Sequence, residues 1–350
     1  MKFQTGILTA LAAGAGYVAL GRLRRIRPIG LGGKIVFITG GSRGLGLAMA
    51  REFGAYGATV AFCARDRAEL ERAKADLYAR GINSHTFVCD ITSDSQVNLM
   101  IDAVTDTLGP IDILVNNAGN IRVGPFSDMT LKDFDEAMQV MFWGTLHTTL
   151  AVLPSMRSRK QGSIVNITSI GGKVSVPHLL PYSCAKFATV ALSEGLRAEL
   201  APAGIRVTTI APGLMRTGSH LHAEFKGKQA NEYAWFAAGA ATPVVSIEAK
   251  RAARSIVRAT VRGESEKILS IPADLLARIH GLFPGVTSGL FTVANFMLPG
   301  DGGSRHALPG HEIEAKFKSR IWRALTKVGR TAAESLNEIP GGQASARSSL

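Results

Sequence analysis

The sequence predicts a doubly wound α/β fold, a parallel sheet of about seven strands with helices on both faces. Three observations carry this. Short β-rich runs are apolar on both faces, as strands buried between two layers must be. Segments of helical length, with apolar residues at helical spacing, separate them. The alternation also persists from residue 34 to 271, giving each parallel strand the long crossover it needs.

The runs are taken in order. KIVFITG (34–40) leads through a glycine-rich turn into a helical segment at 45–56. TVAFCAR (59–65) follows, then a second helical segment at 67–80. HTFVCD (85–90), IDILVNNAG (111–119), GSIVNITS (162–169), RVTTIAPG (206–213) and KILSI (267–271) complete the strands. No internal repeat is present. With 350 residues and 46% hydrophobic content, the chain has enough material for one large core with appendages. The three cysteines, Cys63, Cys89 and Cys184, are odd in number and scattered, so neither a disulfide framework nor a metal site is expected. The net charge is +13, yet residues 1–30 alone hold five Lys or Arg and no acid. A basic flank beside an apolar run fits an anionic membrane surface better than nucleic acid, for which no motif is found.

Chemistry gathers at two places. TGGSRGLG (39–46) lies between the first strand and first helix, where Gly40, Gly44 and Gly46 let the backbone turn and approach a ligand. The helix amino end then offers free N–H groups to a pyrophosphate, the arrangement of a Rossmann-type dinucleotide site. Sites selective for NAD place a carboxylate at the end of the second strand. Here that strand ends FCARDR, with Arg65 at the relevant position and Arg43 in the loop, two cations suited to the 2′-phosphate of NADP(H). Asp66 is the one complication. The second place is YSCAK (182–186), which sets Tyr182 and Lys186 on one helical face. Alone, the pair reads equally as a proton donor or as a surface tyrosine beside a solvated lysine.

Taken together, the glycine loop, NNAG (116–119), Ser169 and YSCAK resemble the short-chain dehydrogenase/reductase family over residues 34–271. The motifs match its TGxxxGxG loop and its YxxxK tyrosine, here 13 residues after the serine. The resemblance implies that Tyr182 is the acid/base and that Ser169 polarises the substrate carbonyl. Lys186 would then hold the nicotinamide ribose and lower the tyrosine pKa. It implies a cofactor site of Gly40, Ser42, Arg43, Gly44, Leu45, Gly46, Arg65, Asp90, Asn117, Ala118, Gly119, Tyr182, Lys186, Pro212, Gly213 and Thr217, with Asp90 at the adenine and Thr217 at the carboxamide. It also implies a homo-oligomer. One position departs: in VMFWG (140–144), Met141 stands where the family carries a relay asparagine. A thioether is a weak acceptor and no donor. A backbone carbonyl alone then holds the relay water, or the relay is rerouted, or turnover suffers; activity is expected to survive, because Tyr182 needs only reach and a suitable pKa.

Residues 214–245 are expected to form the substrate lid. Its apolar stretch EYAWFAAGAATPVV points either to a lipophilic substrate or to packing of the lid itself. His220, His222 and His178 read as loop histidines before metal or substrate ligands. At the amino end an uncharged run from Phe3 to Gly21 precedes Arg22, Arg24, Arg25 and Arg27. It is slightly short for a span of about 20 residues. Export on a signal peptide would strand the enzyme away from NADPH, so a membrane anchor with the catalytic domain on the cytoplasmic side is preferred over a soluble helix. Residues 271–299 are apolar, and 312–328 form a basic amphipathic pattern that suits a membrane surface or protein packing. The expected division is an anchor segment (1–30), a catalytic domain (31–271), an extension (272–334) and a disordered tail (335–350). The expected activity is NADP(H)-dependent hydride transfer with a carbonyl or alcohol of an apolar small molecule. The alternatives are a 3-oxoacyl thioester reductase and a nucleotide-binding sensor or scaffold with weakened catalysis.

Overall fold

β-branched, apolar segments such as IVFIT and TVAFCA cannot expose either face to water, and each is buried along nearly its whole length. The computed structural model describes residues 28–242, 246–316 and 329–339. In it β1 (Ile35–Thr39), β2 (Thr59–Ala64), β3 (Ser84–Val88), β4 (Ile113–Asn116), β5 (Gly162–Ile167), β6 (Ile205–Ala211) and β7 (Glu266–Ile268) form one seven-stranded sheet. Every pairing in it is parallel, and the spatial order is β7-β6-β5-β4-β1-β2-β3. The seven predicted runs are thus the seven strands.

Helices cover both faces. On one, α1 (Gly44–Ala55), α2 (Arg67–Ala79) and α8 (Ala249–Arg262) contribute Leu47, Phe53, Leu70, Leu77 and Ile256 to a core under Val36, Ile38 and Val60. On the other, α3 (Asp94–Leu108), α5 (Gly144–Ser158) and α6 (Leu180–Leu200) pack Val97, Val104, Met156 and Leu200 against Phe37, Leu114 and Ile164. The alternation of Val36, Phe37 and Ile38 between the two cores is the period-2 pattern of a strand covered on both sides. Strand order reverses between β1 and β4, so the loops after them part and leave a crevice at their carboxyl ends.

Beyond this frame lies architecture the sequence did not announce. A three-stranded sheet joins Arg122–Val123, Glu224–Gly227 and Ser304–Pro309. A two-stranded one pairs Met215–Arg216 with Ile247–Glu248. The remaining helices are α4 (Leu131–Met138), α7 (Gln229–Ala241), α9 (Ile271–Leu282), α10 (Pro284–Asn295) and α11 (Gly310–Glu314). Thr130 and Asp133 make a reciprocal capping box at the start of α4. Residues 1–27 of the anchor segment expected over 1–30, and most of the amphipathic segment, 317–328, fall outside the described residues. Among the described residues no helix is long and apolar enough to cross a membrane.

One expectation is corrected. The tail was expected to be disordered over 335–350, but residues 335–339, which follow a helix at 329–335, dock on the glycine loop, while 340–350 lie outside the described residues. The polar residues that favour disorder in isolation here meet charged partners: Asn337 binds Arg72, and Glu338 meets Arg43 and His222.

Candidate active site

The loop after β1 is shaped by close backbone approach. Gly40 has φ +63, a left-handed conformation that favours glycine, and an added Cβ would sit 3.0 Å from the Ala118 Cα. A Cβ on Gly46 would collide with the Gly40 carbonyl oxygen and lie 2.8 Å from Asn117 Nδ2. Asn117 fastens the two loops, donating from Nδ2 to the Thr39 and Gly40 carbonyls at 3.1 and 3.0 Å. The Thr39 hydroxyl accepts from the backbone N–H of Asn117 and Ala118. This crevice, floored by glycines at a helix amino end, fits a dinucleotide pyrophosphate.

The residues expected to select the nucleotide are differently placed. Arg65 is exposed at the end of β2. Asp66 is turned away from that role: it caps α2, accepting from the Glu69 N–H at 2.9 Å. Arg43 and Ser42 both contact Glu69, at 2.8 and 3.0 Å, so Arg43 is held by a carboxylate. Asp90 lies two residues beyond β3 and folds back on Thr92, accepting from its N–H at 3.0 Å and its hydroxyl at 2.9 Å. Thr217 is buried and accepts from the Ser219 N–H at 3.2 Å. The Pro212 carbonyl accepts from Ile170 N–H at 2.8 Å, tying the loop after β6 to the catalytic loop.

Ser169, Tyr182 and Lys186 come together where β5 ends and α6 begins. Ser169 follows β5, and its Oγ accepts from the Gly171 N–H at 3.0 Å. Its hydroxyl proton remains available to the hydrogen bond it shares with Tyr182. Tyr182, in the first turn of α6, is partly exposed and edges Gly171. One turn on, Lys186 is buried and donates from Nζ to the Ile167 carbonyl at 2.8 Å, with Nζ 5.8 Å from the Tyr182 ring centroid. The electrostatics differ from expectation. Burial raises the Tyr182 phenol above its ordinary value, and the Ser169 hydrogen bond pulls it back only partly. The lysine was expected to lower it. However, burial also brings Lys186 down from 10.5 to about 8, and its ammonium is aimed at a backbone carbonyl.

Met141 sits in a single π-helical turn, Gln139–Trp143, wedged between α4 and α5. Such insertions free a carbonyl from the helical ladder. The freed Met141 oxygen accepts from the Thr145 hydroxyl at 2.7 Å and the Thr189 hydroxyl at 3.1 Å, so both lone pairs have partners. A relay water held by that carbonyl alone, one of the three expected outcomes, would displace a threonine. The Met141 side chain is buried beside Gly119.

The substrate side rests on a buried pair, His178 and Glu232, that sequence reasoning did not join. His178 is buried with φ +63, and its Nδ1 lies 2.9 and 3.0 Å from the two oxygens of fully buried Glu232. Trp235 Nε1 donates to the same carboxylate at 2.7 Å. The pair fastens α7 to the loop four residues ahead of Tyr182. Its only sequence signal was a lone acid in an apolar helix. Tyr233 and Phe236 pack with Phe225 and Leu179, so for them the lid-packing reading holds, while 243–245 lie outside the described residues. His220 is buried and neutral, pushed down to about 4 by burial, whereas His222 reaches Arg43 at 3.1 Å. A cavity of about 420 Å³ separates the catalytic loop from α9 and α10, lined by Val174, Pro177, Phe187, His280, Phe291 and Phe296 among others.

Comparison with known proteins agrees with this geometry. The family model for short chain dehydrogenase matches residues 34–225. A dehydrogenase/reductase SDR family protein 7-like of Anopheles gambiae is 37% identical over 247 residues, 69% of this chain and 76% of its own length. Among solved structures, a gluconate 5-dehydrogenase from Burkholderia cenocepacia in complex with NADP and tartrate superposes with TM-score 0.60 at 27% identity, covering 71% of this chain and 97% of that one. An NAD+-bound xylitol dehydrogenase superposes with TM-score 0.62 at 27% identity, covering 69% and 98%. The strand order, the glycine crevice and the Ser169–Tyr182–Lys186 cluster thus have one common explanation: the chain belongs to the short-chain dehydrogenase family, oxidoreductases that act on alcohol and ketone groups.

Proposed function

We propose that the protein transfers hydride between NADP(H) and the carbonyl or alcohol of a lipophilic small molecule. The observation that carries this reading is Tyr182 and Ser169 flanking Gly171, with buried Lys186 one helical turn on from Tyr182, beside the dinucleotide crevice. When bound, the dinucleotide supplies the hydride to the carbonyl carbon in reduction and takes it back in oxidation. Ser169 donates a hydrogen bond to the carbonyl oxygen, and Tyr182 gives that oxygen its proton as negative charge develops. Tyr182 is protonated at neutral pH, as tyrosine ordinarily is, and so carries the proton that reduction needs. Lys186 braces the cluster through the Ile167 carbonyl.

Preference for NADP(H) rests on Arg65, exposed at the end of β2 where an NAD-selective site has a carboxylate, with Asp66 spent as a helix cap. The lipophilic substrate rests on the cavity beside the catalytic loop and on α9 and α10, where Leu282, Phe283, Val286, Leu290, Val293 and Phe296 are exposed. The experiment is NADPH oxidation against a panel of apolar ketones and aldehydes, repeated with NADH and with Tyr182→Phe. Turnover with NADPH that vanishes in Tyr182→Phe is the expected result. No turnover by the native chain, or equal turnover by the variant, overturns the reading.

A further inference from the structure

The carboxyl-terminal segment lies across the crevice that the dinucleotide needs. On one wall, the Gly44 N–H, at the amino end of α1, donates to the Leu336 carbonyl at 2.9 Å. Asn337 satisfies its whole amide there: Nδ2 donates to the Ser42 carbonyl at 2.9 Å and the Glu69 carbonyl at 3.0 Å, and Oδ1 accepts from Arg72 Nε at 2.9 Å. Arg51 donates to the Ser335 carbonyl at 2.7 Å. On the other wall, His222 Nε2 lies 2.9 Å from the Glu338 carbonyl and 3.0 Å from its Oε2. A Cβ on Gly218 would come within 2.5 Å of the Ala333 Cβ. Leu336 is buried in the core that holds α1, so the segment is packed as well as hydrogen-bonded.

Between these walls the Glu338 carboxylate takes an anion's place. Its side chain is only 5% exposed, and Oε2 lies 3.5 Å from Arg43 Nε. Oε1 would stand 2.6 Å from a Cβ on Gly44, so the carboxylate rests directly against the glycine turn. A helix amino end and an arginine are the partners a phosphate seeks. Two anions sharing them in a buried crevice would repel each other strongly.

We propose that residues 332–338 form an autoinhibitory plug whose carboxylate stands in for a phosphate, so that segment docking and dinucleotide binding exclude each other. The proposal rests on the dinucleotide reading of the crevice. Because the competitor is part of the chain, its effect is set by the docking equilibrium alone. A docking constant of about 10 leaves roughly one molecule in eleven competent and weakens apparent affinity about tenfold.

Two measurements on the full chain test this. The first is hydrogen exchange of peptides covering 331–338, with and without NADPH. The plug requires faster exchange when NADPH binds; slower exchange, as expected of a strap closing over the dinucleotide, or no change, overturns it. The second is the NADPH dissociation constant of Glu338→Gln and Asn337→Ala by fluorescence titration, with circular dichroism to confirm folding. Both variants are expected to bind about five- to tenfold more tightly. Unchanged or weaker binding by folded variants overturns the plug and leaves the functional reading standing. Failure of NADPH and NADH to bind any form overturns both.

Discussion

The two sides of the crevice are built by different means. On the dinucleotide side the backbone is shaped by glycines of one turn, Gly40, Gly44 and Gly46, with Asn117 as the single fastening from 77 residues away. On the substrate side the contacts are distant. His178 meets Glu232 across 54 residues, and Arg122, Asp133, Glu136, Glu224 and Lys226 join in one ion network that ties α4 to the small sheet. A site that binds phosphate through backbone can be written into a short motif. A pocket shaped by side chains from remote segments cannot, and it is the half free to vary with substrate.

The sharpest break between the sides is Tyr182→Phe. Turnover is expected to fall about 10²- to 10⁴-fold with the NADPH dissociation constant unchanged, because the hydroxyl serves the proton and not the nucleotide. Stopped-flow hydride transfer and equilibrium titration read the two effects separately. Next, Glu232→Ala strands His178 and Trp235 in a buried setting and is expected to cost about 3 kcal/mol in urea unfolding, with Glu232→Gln recovering most of it.

Lys186 gives the comparison a pH axis. Its folded pKa of about 8 lies below the ordinary 10.5, so between these values the unfolded chain holds a proton that the folded chain does not. Stability attributable to this group therefore rises as pH climbs from about 8 to about 10.5, by on the order of 3 kcal/mol, and is flat on either side. Lys186→Met should abolish that climb in pH-dependent denaturant titrations. Gly46→Ala tests the local side: the new methyl meets the Gly40 carbonyl, so dinucleotide binding is expected to be lost at a cost of about 1–3 kcal/mol in stability. The smallest effect is reserved for Met141→Asn, expected to change turnover by less than about threefold, since the relay position acts one step behind Tyr182. A rise from no activity to measurable activity would show instead that the native site is degenerate.

Legibility followed the same divide. The five inner strands of the main sheet were readable because burial on both faces leaves a continuous apolar run, and the part-exposed edge strands β3 and β7 because they keep the strand–helix alternation. The grouping of Ser169, Tyr182 and Lys186 was readable because their spacing is fixed by one strand end and one helix. Strands as short as Arg122–Val123 carry no periodic signal, so the second sheet was invisible. The upward push on the Tyr182 phenol was not legible, because burial is a tertiary property. The docked tail was misjudged for a related reason: its polar residues gain charge partners far away in sequence.

A line of buried polar groups runs from Thr148 through Asn116 and Asn166 to Ser193 and Thr209, each joined to the next at 2.7–3.0 Å. It stitches β4 to β5 and β6 just upstream of Asn117 and Ser169. Replacing a single member by an oily side chain would orphan its neighbour, so substitutions here are tolerated only in matched sets. The seam therefore couples the ends of β4 and β5, so that Asn117 and Ser169 keep their relative positions.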